Sequence, residues 1–178
     1  MPRAALALAA TLALAAGCGD EGERAVAHVG GTTITKKQLD ETVEHFHEEA
    51  QREGKDFPEE GTREFTAARD RLLGLLVYRA ELAEEAKRLG VEVSDEQVER
   101  RLRAGGGEED ERGDAFARES VRAQLLYERI YRRVTRAVRG HGAAATARRN
   151  RLASRFLARM QRTYARKVRY EPGYAPSS

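Results

Sequence analysis

The chain has 178 residues, of which 34% are charged and 40% are hydrophobic, and its formal net charge at pH 7 is only +3. This length is sufficient for one domain with a packed core. Because the chain has a single cysteine, an intramolecular disulfide is excluded, and burial of apolar side chains must hold the fold together.

An apolar segment opens the chain, from Ala4 to Gly17, directly after Arg3. A basic start, a short apolar run and a group of small residues are together typical of a secretory signal peptide. A transmembrane helix needs roughly 20 apolar residues, which is more than this segment contains. We therefore expect residues 1–17 to be a removable signal.

Cys18 follows this segment directly, after the small residues Ala15, Ala16 and Gly17. This arrangement resembles the lipobox of bacterial lipoproteins, in which the cysteine thiol is acylated and the cysteine becomes the new amino terminus. Ala15 stands where the lipobox usually has leucine. We expect Cys18 to be lipidated, residues 18–25 to form a tether, and the protein to be extracytoplasmic and anchored to the cell membrane. The alternative is an ordinary signal peptide with a cysteine near its cleavage site.

A β-hairpin is predicted next, because residues 26–29 and 32–34 are short β-prone runs separated by two glycines. Glycine readily adopts the positive φ that a two-residue hairpin turn requires. Thr35 then begins a helix, and Gln38 three residues later completes a capping box. We expect this first helix to end near Gly54.

Three more helices follow in the sequence. The second is predicted over residues 63–89, with Gly90 as its left-handed stop, and its centre, residues 72–78, is apolar nearly all round. Such a helix must be covered on more than one side, so we expect it to lie at the centre of the core. A third, shorter helix begins after Ser94, and the fourth is expected over residues 115–138.

A last helix and a short strand are predicted after a linker over residues 140–150. An apolar side chain every four residues gives this helix one apolar stripe, formed by Leu152, Phe156, Met160 and Tyr164. Residues 168–170 are predicted to form a terminal strand. The predicted fold is mainly α, with a small β-hairpin, four helices and a returning C-terminal helix and strand.

Three segments carry a resemblance to a known family: the hairpin and helix start over residues 26–35, the helix end over residues 84–91, and residues 93–98. Their order and spacing resemble the amino-terminal domain of the SurA and PrsA family of extracytoplasmic chaperones and peptidyl-prolyl isomerases. The resemblance implies a chaperone domain over residues 26–139, which residues 151–178 complete. It also implies that the final strand lies beside the first hairpin.

In full-length relatives a parvulin isomerase domain lies between the fourth and final helices, whereas this sequence has only residues 140–150 there. So short a segment cannot form a catalytic domain. The resemblance therefore implies a non-enzymatic holdase, which binds unfolded or nascent exported polypeptides reversibly and without ATP. The alternatives are a scaffold or assembly lipoprotein with one dedicated protein partner, and a protein with residual peptidyl-prolyl isomerase activity.

Client binding requires apolar surface that the core leaves uncovered, on the order of several hundred Å². The larger aromatic side chains are candidates, because helical spacing alone leaves their burial open. The five candidate client-binding residues are Phe46, Phe57, Phe65, Tyr127 and Tyr131.

No metal or cofactor site is predicted. His45 and His47 are two residues apart on a helix, so their imidazoles point in different directions and cannot share a metal ion. The glycines at 105–107 lack the preceding strand and the following Lys-Ser/Thr of a phosphate-binding loop. Nucleic acid is not expected as a partner, because the predicted export separates the protein from it.

Charge is distributed unevenly along the chain. Residues 19–115 contain 15 Lys/Arg and 26 Asp/Glu, whereas residues 116–178 contain 16 and 3. Such an asymmetry is typical of two halves that fold onto each other, or of a basic surface that contacts anionic partners. We expect the basic final helix to dock on the acidic half, and contact with an anionic membrane is the alternative.

The lipid anchor leads to a direct prediction. Two or more acyl chains hold a protein stably on a membrane, whereas one chain binds only marginally. We expect Cys18→Ser to convert a membrane-bound, lipid-modified protein into a released or unprocessed one. Membrane fractionation and mass spectrometry measure this, and identical fractions and masses without lipid in both proteins would contradict the anchor.

Overall fold

The computed structural model describes residues 21–105 and 114–176, and the predicted signal peptide and Cys18 lie outside these ranges. The described residues form three strands and five α-helices, which confirms the predicted mainly α fold. The strands are β1 (Ala25–Val29), β2 (Thr32–Thr35) and β3 (Val168–Tyr170), and the helices are α1 (Lys36–Arg52), α2 (Arg63–Leu89), α3 (Asp95–Ala104), α4 (Ala115–Thr135) and α5 (Ala143–Ala165).

The hairpin and the final strand form one antiparallel sheet in the order β2-β1-β3. Val29 pairs with Thr32, so the turn consists of the two glycines between them, and Gly30 has a φ of 60°. Val29 also pairs with Val168 of β3, on the other edge of β1. The predicted return of the last strand to the first hairpin is therefore confirmed, and β1 is the central strand.

Local sequence signals place most helix ends where they were expected. Thr35 Oγ1 accepts a hydrogen bond from the Gln38 N–H at 3.3 Å, and Gln38 Oε1 accepts one from the Thr35 N–H at 2.9 Å. This capping box begins α1. Gly90 ends α2 with a φ of 63°. Asp114 begins α4, because its Oδ1 accepts a hydrogen bond from the Phe116 N–H at 2.8 Å.

The last helix begins earlier than predicted. α5 starts at Ala143, so residues 143–150, which were expected to be part of a linker, are its first two turns. Alanine has the highest helix propensity of all residues, which favours a helix over the alanine-rich run at 143–147. The linker is therefore limited to residues 136–142.

The fourth helix, by contrast, ends at Thr135 and not at Val138 as predicted. The Arg149 side chain of α5 donates hydrogen bonds to the carbonyl oxygens of Val138 at 3.1 Å and Gly140 at 2.8 Å. These carbonyls are therefore satisfied without a further turn of α4.

α2 is the central element, and it packs against α1, α4, α5, β1 and β2. Its buried core side chains are Leu73, Val77, Ala80, Leu82 and Ala86. The expectation that this helix is covered on more than one side is confirmed. All residues of the core and of the apolar layer around it lie between Val26 and Tyr174, so the chain from Gly19 onward contains the whole described fold.

The hairpin turn docks on α2 through Glu84. Its Oε1 accepts hydrogen bonds from Thr32 Oγ1 at 2.7 Å and from Lys87 Nζ at 2.8 Å. These two hydrogen bonds lower the pKa of Glu84 below its usual value, and the one from Lys87 has the larger effect. A Cβ at Gly30 would lie 3.2 Å from Glu84 Oε2. Position 30 therefore favours glycine for two reasons, its positive φ and the close contact with Glu84.

α5 docks on the rest of the domain through one apolar face. The buried residues of this face are Ala145, Ala153, Phe156, Met160 and Tyr164. Leu152, which was predicted to belong to the stripe, is 40% exposed. It precedes Ala153 by one residue and is therefore rotated by about 100° from the buried face. Positions that alternate between three and four residues apart stay on one face of an α-helix, because the helical period is 3.6 residues. Positions that are always four apart move gradually around the helix, and Leu152 lies at the first position of such a series.

The docking of the last helix is confirmed, but it depends on apolar contacts and not on ion pairs. Within residues 21–105 and 114–176, no arginine of α5 forms a salt bridge. Pairing between the acidic and basic halves occurs instead between α3 and α4, where Arg122 lies 2.8 Å from Asp95 and Arg118 pairs with Glu99.

The α5 interface predicts different costs for two substitutions on the same helix. Met160→Ala removes a buried side chain and should lower the free energy of unfolding by about 2–5 kcal/mol. Leu152→Ala changes an exposed side chain and should cost no more than about 0.5 kcal/mol. Urea denaturation of both variants measures this difference, and equal small losses would show that α5 is an independent tail.

Glu81 provides a prediction on pH dependence. This buried carboxyl group lies near Tyr170 of β3, and burial raises its pKa above the usual value. Between the pKa of Glu81 in the unfolded chain and its raised pKa in the folded protein, the folded protein retains a proton that the unfolded chain releases. The free energy of unfolding therefore falls as the pH rises through this range. We expect Glu81→Gln to be more stable than the wild type at pH 7. The gain should vanish below pH about 4, where the unfolded carboxyl group is also protonated. A gain that is independent of pH in urea denaturation would contradict this.

Candidate functional site

A groove remains open between α2 and α4, with a volume of about 300 Å³. Its walls are mainly apolar, and its lining residues are Leu75, Tyr78, Arg79, Leu82, Ala123, Gln124 and Tyr127. Leu73 of α2 is fully buried in the core, whereas Leu75, two residues later, points about 200° away from it. The surplus apolar surface of the central helix therefore forms one wall of this groove.

A second depression of about 330 Å³ extends the groove along α4 and is lined by Tyr127, Glu128, Tyr131 and Arg132. The ring centroids of Tyr127 and Tyr131 are 6.4 Å apart. The Tyr131 hydroxyl donates a hydrogen bond to Asn150 Oδ1 of α5 at 3.0 Å, which fixes the ring. Tyr127 is 36% exposed. We call the two depressions together the α2–α4 groove.

Arg79 fixes one end of the groove. Its guanidinium lies over the ring of Phe116, 4.4 Å from the centroid, and donates a hydrogen bond to Ser120 Oγ at 2.7 Å. Burial lowers the pKa of Arg79 and raises the pKa of the neighbouring Tyr78. The groove therefore combines apolar walls with a few hydrogen-bond donors, which suits an extended peptide with apolar side chains and free backbone carbonyls.

The structure brings together two of the five candidate residues, Tyr127 and Tyr131, in this groove. Phe46 lies elsewhere, half-buried between α1 and the start of α4. Its ring packs edge-on against Phe116 at 5.4 Å, while His45 stacks on the same ring at 4.1 Å. The Nδ1 atom of His45 is 3.3 Å from Asp114 Oδ2. These contacts join α1 to α4 and leave Phe46 away from the groove.

Phe57 and Phe65 form a separate pocket of about 720 Å³ between α1, the following loop and α2. Their ring centroids are 6.4 Å apart. The charged residues that line this pocket are Lys36, Asp40, Glu44, Glu59, Glu60 and Arg69. An apolar segment bound here would remove water from these charges, which is costly. A role of Phe57 and Phe65 in client binding remains a prediction, and the α2–α4 groove is the better site for an apolar client.

Sequence reasoning assigned Leu75 and Tyr78 to the core and did not single out Phe116. One signal for the first two was present, because a helix that is apolar on every side carries more apolar surface than a small domain covers. Among the described residues, no group of three or more potential ligands comes together to hold a metal ion. No helix in this part of the chain is long and apolar enough to cross a bilayer.

Comparison with known proteins agrees with the resemblance found in the sequence. A family model described as the SurA-like N-terminal domain matches residues 4–106, which is more than half of the chain. The chain therefore belongs to this family, whose domain is of the chaperone type. Searches of curated proteins and of solved structures gave no match. The matched range includes β1, β2 and α1 to α3, so the α2 wall of the groove lies within it and the α4 wall lies beyond it.

Proposed function

We propose that the protein is a membrane-anchored holdase, which binds unfolded exported polypeptides reversibly, without ATP and without isomerising prolines. The observation that carries this proposal is the α2–α4 groove, an apolar surface that the domain leaves open. Membership in the SurA-like N-terminal domain family supports the chaperone-type role.

The groove suits short apolar stretches of an unfolded chain. Each Å² of apolar surface that a client buries there contributes about 25 cal/mol. Because the groove is shallow and admits only a few side chains, the gain per contact is small and binding is reversible. Arg79 and the hydroxyls of Tyr78 and Tyr127 can donate hydrogen bonds to backbone carbonyls, which every polypeptide has. Such a site binds apolar segments of unfolded polypeptides in general and has little preference for one particular sequence.

The anchor places this activity at the membrane. The signal-like segment and Cys18 support export followed by acylation, and Ala25 of β1 is only seven residues beyond Cys18. A chain of this length spans at most about 25 Å. The domain is therefore held where exported chains emerge.

The path of the chain between α4 and α5 supports binding without isomerisation. Within the described segment 114–176, residues 136–142 connect the two helices directly, at the place where the resemblance implies a parvulin domain in full-length relatives. If the protein is instead a residual isomerase, it must accelerate the cis/trans isomerisation of a proline peptide, which takes tens to hundreds of seconds without a catalyst. The other alternative, a scaffold with one partner, uses the same groove but binds a single protein.

Aggregation of several unrelated unfolded proteins tests the holdase directly. The unacylated chain from Gly19 should suppress aggregation of all of them. The double variant Leu75→Gln/Tyr127→Gln should bind clients about tenfold more weakly, because it removes apolar contact worth about 1.4 kcal/mol. Leu152→Gln is the matched control, because it changes an exposed leucine outside the groove and should retain full activity.

Circular dichroism and thermal melts verify that all three proteins are folded. Protection of a single client would favour the dedicated-partner scaffold. Full activity of the double variant would show that the groove is not the client site.

A further inference from the structure

The outer face of α5 carries a stripe of exposed arginines. Steps of three and four residues place them on one side of the helix, from its second turn to its C-terminal cap: Arg148, Arg151, Arg155, Arg159, Arg162 and Arg166. The stripe is about 27 Å long, at 1.5 Å per residue. We call it the arginine face.

The arginine face is not paired with any carboxylate in the part of the chain that the structure describes. None of its six guanidinium groups forms a salt bridge with a carboxylate of the described residues. Arg118 and Arg122 of α4, by contrast, pair with Glu99 and Asp95 of α3. Like charges three or four residues apart destabilise a helix. Within the described residues this array of like charges is left exposed to solvent, and an external anionic partner would offset its repulsion.

We propose that the arginine face docks on the anionic phospholipid headgroups of the membrane that holds the protein, an inference that rests on the anchoring part of the proposed function. Guanidinium groups bind phosphate through paired hydrogen bonds. A straight row of six such groups matches a flat surface that offers phosphates along its whole length. Because Phe156, Met160 and Tyr164 on the other face of α5 are buried in the core, the contact is mainly electrostatic and these side chains do not enter the membrane.

Leu152 lies on the same side of α5 as the arginine face, one helical turn from Arg148 and from Arg155, and it is 40% exposed. Its side chain can enter the headgroup layer when the arginines are in contact. The predicted tether adds to the attraction, because a short link to the bilayer raises the effective concentration of headgroups around the domain. Electrostatic attraction acts over a screening length of about 8 Å at physiological salt, so the tether keeps the arginine face near this range and strengthens a binding that the arginine face has on its own.

Docking in this orientation leaves the groove accessible. Asn150 is two residues from Arg148 and therefore points about 200° away from it around the helix. Its side chain contacts Tyr131 at one end of the α2–α4 groove. Asn150 is also rotated by about 100° from Arg151, the nearest residue of the arginine face, so the groove end at Tyr131 lies outside that face and is left uncovered when the face docks.

Vesicle flotation of the unacylated chain from Gly19 tests the docking, with vesicles of phosphatidylcholine alone and with added phosphatidylglycerol. We expect binding to the anionic vesicles only, and a loss of binding as salt rises. Arg151→Gln/Arg155→Gln/Arg162→Gln should weaken it roughly 100-fold, at about fivefold per charge. The control Lys37→Gln/Arg63→Gln/Arg71→Gln removes three exposed charges outside α5 and should change binding by less than about threefold.

Two results would overturn the proposal: equal binding to neutral and anionic vesicles, or equal weakening by the two triple variants. Suppression of aggregation, measured without lipid, tests the proposed holdase function independently of membrane docking. The arginine triple variant should suppress aggregation as well as the wild type does. A wild-type chain that suppresses aggregation but does not distinguish the vesicles disproves the docking and leaves the holdase intact.

Discussion

The structure depends on the burial of one helix, α2, whose centre over residues 72–78 is apolar nearly all round. α2 is covered by α1, the sheet, α4 and α5. Leu73 and Val77 are buried by this packing, while Leu75 and Tyr78 remain partly uncovered. The same excess of apolar surface therefore stabilises the domain and creates the groove. Increasing the coverage of α2 would stabilise the fold at the expense of the binding surface.

The C-terminal return closes the domain. β3 pairs with β1, and Phe156, Met160 and Tyr164 of α5 complete the core. A short connection over residues 136–142 is sufficient for this closure, so the fold does not require a domain between α4 and α5. α5 thus has two separate faces: an apolar one that belongs to the core and an arginine face that forms no salt bridge with the described residues.

Much of the fold was predictable because its signals are local. The glycine turn, the Thr35 cap and the Gly90 stop each depend on a few adjacent residues, and the structure has all of them. The site was less predictable. Tyr127 and Tyr131 were candidates, but periodicity cannot show which side of an all-round apolar helix stays uncovered, so Leu75 was missed. Phe46 was separated from the groove by contacts with Phe116, a residue far away in the sequence.

Site-specific photocrosslinking tests the central claim most directly, because it records where an unfolded chain lies. A photoreactive amino acid replaces Gln124, exposed in the α2–α4 groove, or Glu60, exposed in the charged pocket of Phe57 and Phe65. With several unrelated unfolded proteins, crosslinks should form from position 124 to each of them and only rarely from position 60. Equal yields from the two positions, or crosslinks from position 60 alone, would contradict the account.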